Sequence, residues 1–315
     1  MAQPTLGFIG IGLMGEAMTR RLLDCGWQVT AWNLEPERLD LVTLHGAVGA
    51  ASPAQVADAA DIILMCVLDT HAVRNCVFGP DGIAAARDVR GKLLIDLSTI
   101  DPSATREMAA ELARTRKLGW LDCPVSGGPP AARDGSLAIM VGGDAQHVER
   151  ARAVLADLGG NVTHMGPCGA GQTTKIINQA IVGAGFALMS EAALLAEASG
   201  IDAQRLPDCL AGGFADSTLL RKLYPRIHRR DFEPPTGTAR QLLKDLQAVS
   251  AFAREHHCPS PVVDAAVERY ATYVATGHAL ADSASLIRLY ESEAMNRRER
   301  LSSPDETSTT KGESA

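Results

Sequence analysis

The N-terminal stretch of this chain places a glycine-rich turn directly between an apolar strand and a helix. Residues 5–9 are predicted to form a buried strand and residues 16–23 a helix. The turn between them is Gly10-Ile11-Gly12-Leu13-Met14-Gly15, with the spacing GxGxxG. In this context the first glycine makes a tight turn, the second admits a pyrophosphate, and the third lets helix and strand pack closely. The stretch predicts a dinucleotide-binding unit, and a glycine turn without a ligand is the alternative.

The following residues repeat a pattern of strand and helix. Residues 28–32 are predicted to form the second strand, and Asn33 and Glu35 follow it where contacts to the cofactor ribose are expected. Further strands are predicted at 61–68, 93–97, 118–123 and 137–141. Such alternation favours an α/β fold, a doubly wound parallel sheet with ligands at the carboxyl ends of its strands.

The second half of the chain predicts helices alone. Residues 172–199 contain no proline, which predicts a helix of roughly seven turns, about 40 Å long. Further helices are predicted at 203–211, 217–228, 238–256, 260–276 and 281–296. We therefore expect a dinucleotide-binding domain at 1–166 and an all-helical domain for substrate binding and oligomerisation at 167–296. The charged, Ser/Thr-rich residues 297–315 are expected to be a disordered tail.

Composition excludes several classes of protein. The net charge of −7 argues against nucleic acid as the main partner. No apolar run reaches the roughly 18–20 residues that span a bilayer, so no membrane partner is expected. The N-terminus has no basic region of a signal peptide, and the seven scattered cysteines form no CxxC pair. We expect a cytoplasmic protein with reduced thiols and no metal.

A central loop, Asp122-Cys123-Pro124-Val125-Ser126-Gly127-Gly128, is a candidate for substrate contact. Ser126 offers a hydroxyl, and Gly127 and Gly128 offer backbone N–H groups that no side chain blocks. Such a turn is suited to hold an anion, above all a carboxylate. The alternative is an ordinary Pro-Gly connection between strand and helix.

Lys175 is the candidate for proton transfer. It lies one turn into the long helix, and Asn178 and Gln179 share its face. Ile176, Ile177 and Ile181 beside it predict a substantially buried helix, which argues against the alternative of a solvated surface lysine.

A second lysine motif, Lys244-Asp245-Leu246, lies on a later helix that begins with a predicted capping box at Thr238 and Gln241. From spacing alone, a surface charge pair is as good an explanation of Lys244 and Asp245 as a functional site.

Together these motifs resemble the β-hydroxyacid dehydrogenases, which include 3-hydroxyisobutyrate dehydrogenase and 2-hydroxy-3-oxopropionate (tartronate semialdehyde) reductase. The resemblance covers about residues 5–295 and rests on four motifs in the family's order. These are residues 7–15, the loop 122–128, residues 169–175 with Asn178, and residues 244–246. It implies a Rossmann-type domain, a helical domain, and an NAD(P)-dependent enzyme that interconverts a short β-hydroxy acid and its semialdehyde or keto form.

The resemblance also implies roles for single residues. Lys175 would be the catalytic acid/base, and Ser126, Gly127, Gly128, Asn178 and Gln179 would bind substrate. Leu68, Thr99 and Lys244 would lie by the cofactor. The pair Asn178-Gln179 is more similar to the tartronate semialdehyde reductase branch. The expected partner is a small carboxylate substrate. The long helix carries Ala, Leu and Gly on several faces, more apolar surface than a single small domain readily covers, which predicts a homodimer or homotetramer.

Two positions depart from the family pattern or bear on its cofactor. Pro235-Thr236-Gly237 stands where members usually carry Pro-Gly-Phe, which predicts a wider pocket or a second anion clamp at Arg240. NADP-dependent relatives commonly place Arg directly after the Asn that ends the second strand, whereas Leu34 stands here. Glu35 would repel a 2′-phosphate, so NAD is favoured over NADP, with Arg38 as the residue that could reverse this.

Two alternatives to a dehydrogenase remain. An imine reductase would share the fold, but those enzymes usually lack the helix lysine. A non-catalytic nucleotide-binding interaction protein would be expected to have lost Lys175 or the Ser-Gly-Gly loop.

Overall fold

The structure, a computed structural model, describes residues 3–302. These residues divide into two compact units, one that ends at Ile177 and one that begins at Asn178. The division falls at Ile177, inside a helix, whereas the sequence places a domain boundary at 166. Each unit is described by itself below.

The first unit alternates strands and helices along most of its length. Its strands are β1 (Leu6–Ile9), β2 (Val29–Trp32), β3 (Val48–Gly49), β4 (Ile62–Met65), β5 (Leu93–Asp96), β6 (Gly119–Asp122), β7 (Val125–Ser126), β8 (Ala138–Gly143) and β9 (Asn161–Gly166). Its helices are α1 (Leu13–Asp24), α2 (Asp40–Thr43), α3 (Pro53–Ala59), α4 (Thr70–Phe78), α5 (Pro102–Arg116), α6 (Gly128–Arg133), α7 (Ala145–Leu158) and the first part of α8 (Ala170–Ala198).

The sheet confirms the doubly wound class but is not parallel throughout. Its order is β3-β2-β1-β4-β5-β6-β8-β7, with β9 paired to β8. From β3 to β6 all neighbours are parallel, in the strand order of dinucleotide-binding folds. The strand β8 runs antiparallel to β6 and β7. The sequence did not indicate this antiparallel end, because hydrophobic periodicity carries no information on strand direction.

Successive residues of the central strands enter two different hydrophobic cores. In β4, Leu64 packs into one core, while Ile63 and Met65 pack into the other. In β1, Phe8 and Ile9 divide in the same way. Side chains alternate between the two faces of a strand, so a sheet covered by helices on both faces needs apolar residues at every position. This explains the continuous apolar runs in the sequence.

Side chains cap the starts of two helices, α3 and the helix that begins at Ala239. Ser52 Oγ accepts a hydrogen bond from the Gln55 amide at 3.2 Å, and Gln55 Oε1 accepts one from the Ala51 amide at 2.9 Å. Thr238 Oγ1 likewise accepts from the Gln241 amide at 3.3 Å. These contacts satisfy amides that have no partner within the helix.

The second unit is helical, as predicted, and it contains no ladder strand among its described residues. After α8 it forms α9 (Leu206–Cys209), α10 (Tyr224–His228), α11 (Ala239–Glu255), α12 (Pro261–Tyr273) and α13 (Ile287–Ser302). Short 3₁₀ or π segments lie at Ala203–Arg205, Leu219–Leu223, Val274–His278 and Ser283–Leu286. Leu220, Tyr224, Ile227 and Phe232 form part of its core.

Two expectations about this part of the chain need correction. The last helix continues to Ser302, so residues 297–302 are helical rather than part of a disordered tail; residues 303–315 lie outside the described part. The helix α8 is long and apolar enough to cross a membrane by length and composition, with a mean hydropathy of 1.5. The expectation from apolar runs missed this helix, because polar residues interrupt the apolar ones along it. Core helices of soluble proteins can have the same length and composition, so these two properties are weak evidence for a membrane-spanning helix.

Candidate active site

The ends of five parallel strands bring the predicted site loops of the first unit to one edge of the sheet. The last residues of these strands are paired in register: Ile9 with Trp32 and Met65, Met65 with Asp96, and Asp96 with Asp122. The glycine turn, Asn33, Leu68, Thr99 and the loop from Cys123 to Gly128 follow these strand ends directly. This is the edge at which α/β sheets bind their ligands.

The glycine turn has the geometry that its spacing predicts. Gly10 has a φ of 96°, and a Cβ there would lie 2.3 Å from the Cys66 carbonyl oxygen. At Gly15 a Cβ would lie 1.8 Å from the Gly10 carbonyl oxygen. At Gly12, by contrast, no atom lies within 4 Å of where a Cβ would stand. The outer glycines are thus required by packing, while the exposed middle glycine leaves the backbone open to a ligand.

Asn33 ties the glycine turn to the end of β2. Its Oδ1 accepts a hydrogen bond from the Ile11 amide at 2.7 Å, and its Nδ2 donates to Glu35 Oε2 at 2.8 Å. Arg38 Nε donates to the Ile11 carbonyl oxygen at 2.6 Å. An acidic and a basic side chain therefore both lie beside the turn, where the sequence placed a ribose contact.

The loops after β4 and β5 are fixed to each other. Ser98 Oγ accepts a hydrogen bond from the Val67 amide at 3.0 Å. Leu68, next to Val67, is 69% exposed, and Thr99, next to Ser98, is half-buried. An exposed apolar side chain at this edge is suited to pack against a flat ring of a ligand.

The predicted substrate loop turns sharply at its two glycines. Ser126 ends β7, and Gly127 and Gly128 have φ values of 134° and 73°, which are unfavourable for other residues. A Cβ on Gly127 would also lie 2.6 Å from the Ala131 Cβ. The helix α6 begins at Gly128. The Ser126 hydroxyl and the backbone of this turn are only partly buried, so a small anion has access to them.

Lys175 lies at this loop. Its side chain is buried, with 7% exposure, and its Nζ donates a hydrogen bond to the Val125 carbonyl oxygen at 2.9 Å. Val125 directly precedes Ser126 in β7. The structure thus brings together the proton-transfer candidate and the carboxylate-binding candidate, which are 49 residues apart in the sequence. Our reason for expecting a buried lysine was only partly correct, because Ile177 and Ile181 are 54% and 66% exposed.

The remaining predicted residues form a polar chain within the helical unit. Asn178 Nδ2 donates to Gln179 Oε1 at 3.0 Å, and Gln179 Nε2 donates to Asp245 Oδ2 at 2.6 Å. Lys244 Nζ lies 3.2 Å from Asp245 Oδ1, and the Lys244 side chain is 44% exposed. Asp245 therefore orients Gln179, a contact that connects α8 to α11. The sequence had placed these residues in two separate motifs.

Comparisons with known proteins identify the family of the chain. Residues 5–166 match the NAD-binding domain of 6-phosphogluconate dehydrogenase, and residues 169–290 match the NAD-binding domain of NADP-dependent 3-hydroxyisobutyrate dehydrogenase. The chain is 37% identical over 288 residues to 2-hydroxy-3-oxopropionate reductase of Escherichia coli, covering 91% of this chain and 97% of that protein. The chain belongs to the β-hydroxyacid dehydrogenase family.

Two further relatives extend the comparison. L-threonate dehydrogenase of Cupriavidus necator is 33% identical over 286 residues, which are 90% of this chain and 95% of that protein. The structure of Mycobacterium tuberculosis 3-hydroxyisobutyrate dehydrogenase with L-serine superposes with a TM-score of 0.81 at 30% identity, covering 92% of this chain and 99% of that chain. As a β-hydroxyacid dehydrogenase family member, the protein is an NAD(P)-dependent oxidoreductase acting on CH–OH groups.

The residues present fit a nicotinamide dinucleotide. The open space at Gly12 is where a side chain would obstruct a pyrophosphate, and the N-terminus of α1 begins at the next residue. No cluster of His, Cys, Asp and Glu suited to a metal ion occurs among residues 3–302. The site therefore offers a cradle for the organic cofactor.

The position that departs from the family pattern is open. A Cβ on Gly237 would meet only the Ser283 Oγ, at 3.9 Å. Arg240 is exposed and has no side-chain hydrogen bond or ion pair among the described residues. Its role as a second anion clamp stays a prediction.

Sequence reasoning assigned no role to two buried residues at the edge of the sheet. Asp122 ends β6, and Gln172 lies in the first turn of α8; both are fully buried. The sequence shows Asp122 as a carboxylate at the end of an apolar run and Gln172 as a glutamine three residues before Lys175. Neither predicts a contact, since the two residues are 50 apart in the chain.

Proposed function

We propose that the protein interconverts a short β-hydroxy acid and its semialdehyde or keto form, with NAD(P) as the redox partner and Lys175 as the general acid/base. We further propose that it acts as a soluble, cytoplasmic homodimer or homotetramer. The observation that supports the reaction is the 2.9 Å hydrogen bond from Lys175 Nζ to the Val125 carbonyl. It holds the amine one residue away from the Ser126-Gly127-Gly128 turn.

In this proposal the turn fixes the carboxylate of the substrate. The Ser126 hydroxyl and the amides of Gly127 and Gly128 are donors on a rigid turn, and charge-assisted hydrogen bonds to a carboxylate are among the stronger ones. The relatives are named for 2-hydroxy-3-oxopropionate, threonate and 3-hydroxyisobutyrate. All of these compounds carry a carboxylate close to a carbonyl or hydroxyl group.

Lys175 would act on that second oxygen. During oxidation its neutral amine accepts the proton of the substrate hydroxyl, and during reduction its ammonium group donates a proton to the carbonyl oxygen. The bound nicotinamide supplies the hydride chemistry. Burial keeps bulk water from competing for the amine. Asn178, three residues further along α8, would orient the lysine or the substrate oxygen.

For the cofactor we propose NAD over NADP. The Glu35 carboxylate is held at the end of β2 by the Asn33 amide, at 2.8 Å. A carboxylate there accepts hydrogen bonds from ribose hydroxyls and repels a 2′-phosphate. Arg38 is the opposing influence, because its guanidinium also lies at the turn.

A rate screen tests this proposal. Purified protein is assayed with a panel of 3-hydroxy acids and aldehyde acids, each with NAD(H) and NADP(H), and with cyclic imines as the competing substrate class. We expect turnover of at least one hydroxy acid. Turnover of imines alone would favour an imine reductase, and cofactor binding without turnover of any compound would favour a non-catalytic nucleotide-binding protein.

A further inference from the structure

The start of the lysine-bearing helix is fastened to the end of β6 by a buried carboxylate. Asp122 Oδ1 accepts a hydrogen bond from the Gly169 amide at 2.8 Å, and its Oδ2 accepts one from the Gln172 amide at 3.0 Å. Gly169 directly precedes α8 and Gln172 lies in its first turn, and amides at the start of a helix have no carbonyl partner within it. Lys175 lies three residues after Gln172 in α8, less than one helical turn from the amide that Asp122 binds.

The backbone packs so closely around the Asp122 carboxylate that two neighbouring positions have no space for a side chain. A Cβ on Gly142 would lie 2.6 Å from both oxygens of Asp122. A Cβ on Gly171 would lie 2.4 Å from the Asp122 carbonyl oxygen. Two glycines are therefore needed to bring the helix start this close to the strand end. Because Asp122 also opens the loop that continues to Ser126, it fixes the helix to the substrate loop itself.

The side chain of Gln172 fastens the same turn to the loop after β5. Its Nε2 donates to the Ser98 carbonyl oxygen at 2.8 Å, and its Oε1 accepts from the Ile100 amide at 3.1 Å. These two backbone groups flank Thr99, the residue that the family resemblance places by the cofactor. One amide side chain thus holds both sides of Thr99.

We propose that Asp122 and Gln172 are positioning residues that set the distance between Lys175, the substrate loop and the Thr99 loop. This inference rests on the proposed function of Lys175. Proton transfer needs its donor and acceptor within hydrogen-bond distance, so a small shift of the helix start lowers the rate of the chemical step. Asp122 does not touch the substrate; it acts through the position of Lys175.

The principal test is Asp122→Asn, which keeps the shape of the side chain. One of its terminal groups becomes an N–H donor and faces an amide donor, so one of the two bonds is lost. We expect kcat to fall about 10–100-fold with the best hydroxy acid, KM to change less than threefold, and the pH profile of kcat to shift. The matched control is Asp144→Asn, which alters the cap of α7, where Asp144 Oδ1 accepts from the Gln146 amide. That variant should retain the wild-type kcat and pH profile.

A double-mutant cycle separates positioning from general destabilisation. If Asp122 acts through Lys175, Asp122→Asn should change kcat less than threefold when introduced into Lys175→Ala. Equal fold losses in both backgrounds, or a kcat within twofold of wild type for Asp122→Asn alone, would overturn the proposal.

Measurements without substrate keep the proposal testable even if the proposed reaction is wrong. In Asp122→Asn we expect faster amide hydrogen exchange in residues 167–175 and at least threefold faster reductive methylation of Lys175, followed by peptide mass spectrometry. Unchanged exchange and methylation would contradict the inference, whatever the enzyme reacts with. Failure of the proposed function would instead appear as unchanged turnover in Lys175→Ala.

A second variant covers the case in which Asp122→Asn does not fold. Gln172→Met removes the bonds to Ser98 and Ile100 but leaves the backbone amide for Asp122. We expect a dissociation constant for NADH, measured by fluorescence titration, that is about tenfold higher, the cost of a lost hydrogen bond or two. An unchanged dissociation constant would show that Gln172 does not position the Thr99 loop.

Discussion

Lys175 Nζ lies 2.9 Å from the carbonyl oxygen of Val125, the residue that precedes the Ser-Gly-Gly turn. This contact connects a helix of the chain's middle to the edge of the sheet at which the glycine turn also lies. A lysine in this position is buried, oriented and adjacent to donors for an anion. These are the properties that a general acid/base needs.

Replacing Lys175 with Ala should lower kcat by about 10²–10⁴-fold, the usual contribution of general acid–base catalysis. The dissociation constant for the cofactor should change less than twofold, because the glycine turn is untouched. Steady-state kinetics and a binding titration measure the two quantities. Lys222→Ala, at an exposed position of the helical unit, is the control. A turnover near that of wild type in Lys175→Ala would remove the lysine from the mechanism.

The carboxylate clamp makes a separate prediction. A substrate analogue in which the carboxylate is replaced by an amide should lose at least about tenfold in kcat/KM, since charge-assisted bonds at Ser126 and Gly127 are not formed. Ser126→Ala should lower kcat/KM for the carboxylate substrate. The ratio of kcat/KM for this substrate to kcat/KM for its amide analogue should therefore be smaller in the variant than in the wild type. Equal rates on acid and amide with the wild-type enzyme would refute the clamp.

The sequence predicted the conformation of the glycine turn correctly but missed contacts between distant segments. The positions Gly10 and Gly15 are required locally, so their spacing is informative by itself. The strand β9 was missed because its residues are exposed and carry no apolar pattern. The hydrogen bond between Asp122 and Gly169 joins residues that are 47 apart, and no local sequence pattern predicts it. Local backbone requirements are visible in a sequence, whereas the partners of buried polar groups depend on the fold.

Cofactor preference should depend on Glu35 and Arg38. We expect wild-type kcat/KM to favour NAD, and Glu35→Gln to raise kcat/KM for NADP by about tenfold, which corresponds to about 1.4 kcal/mol. Arg38→Ala should lower whatever NADP activity is present, since the guanidinium lies at the turn. Glu37→Gln, two residues beyond Glu35, is the matched control. A wild-type preference for NADP would show that Arg38 outweighs Glu35.

The stability of the cofactor-free protein should depend on pH through Asp96. Burial raises the pKa of this carboxyl from 3.8 to about 7; the hydrogen bonds with Ser98 oppose the rise and the charge of Asp122 adds to it. Between these two values the folded protein keeps a proton that the unfolded chain has released. The free energy of unfolding therefore falls as pH rises through this window, by at most about 1.4 kcal/mol per pH unit.

Asp96→Asn should remove this dependence, because its side chain carries no charge and still offers an acceptor to the Ser98 amide. We compare the thermal unfolding midpoints of the variant and the wild type at each pH. The midpoint of the variant minus that of the wild type should increase from pH 4 to pH 7 and then stay constant. Asp134→Asn, at an exposed position of the same unit, should change little at any pH. A difference between Asp96→Asn and wild type that is the same at pH 4 and pH 8 would contradict the prediction.

The last prediction concerns assembly through the helical unit. Ile181, Leu188 and Leu195 on α8 are 66%, 58% and 69% exposed, and their spacing of seven residues places them along one helix face. A row of exposed large apolar side chains is typical of an interface, because burying each of them contributes about 1.5–3 kcal/mol. We expect light scattering at micromolar concentration to give the mass of a dimer or tetramer. Leu188→Glu should lower that mass, whereas Val262→Glu, at another exposed apolar position of the same unit, should not. A monomeric mass for the wild-type protein would rule out this assembly.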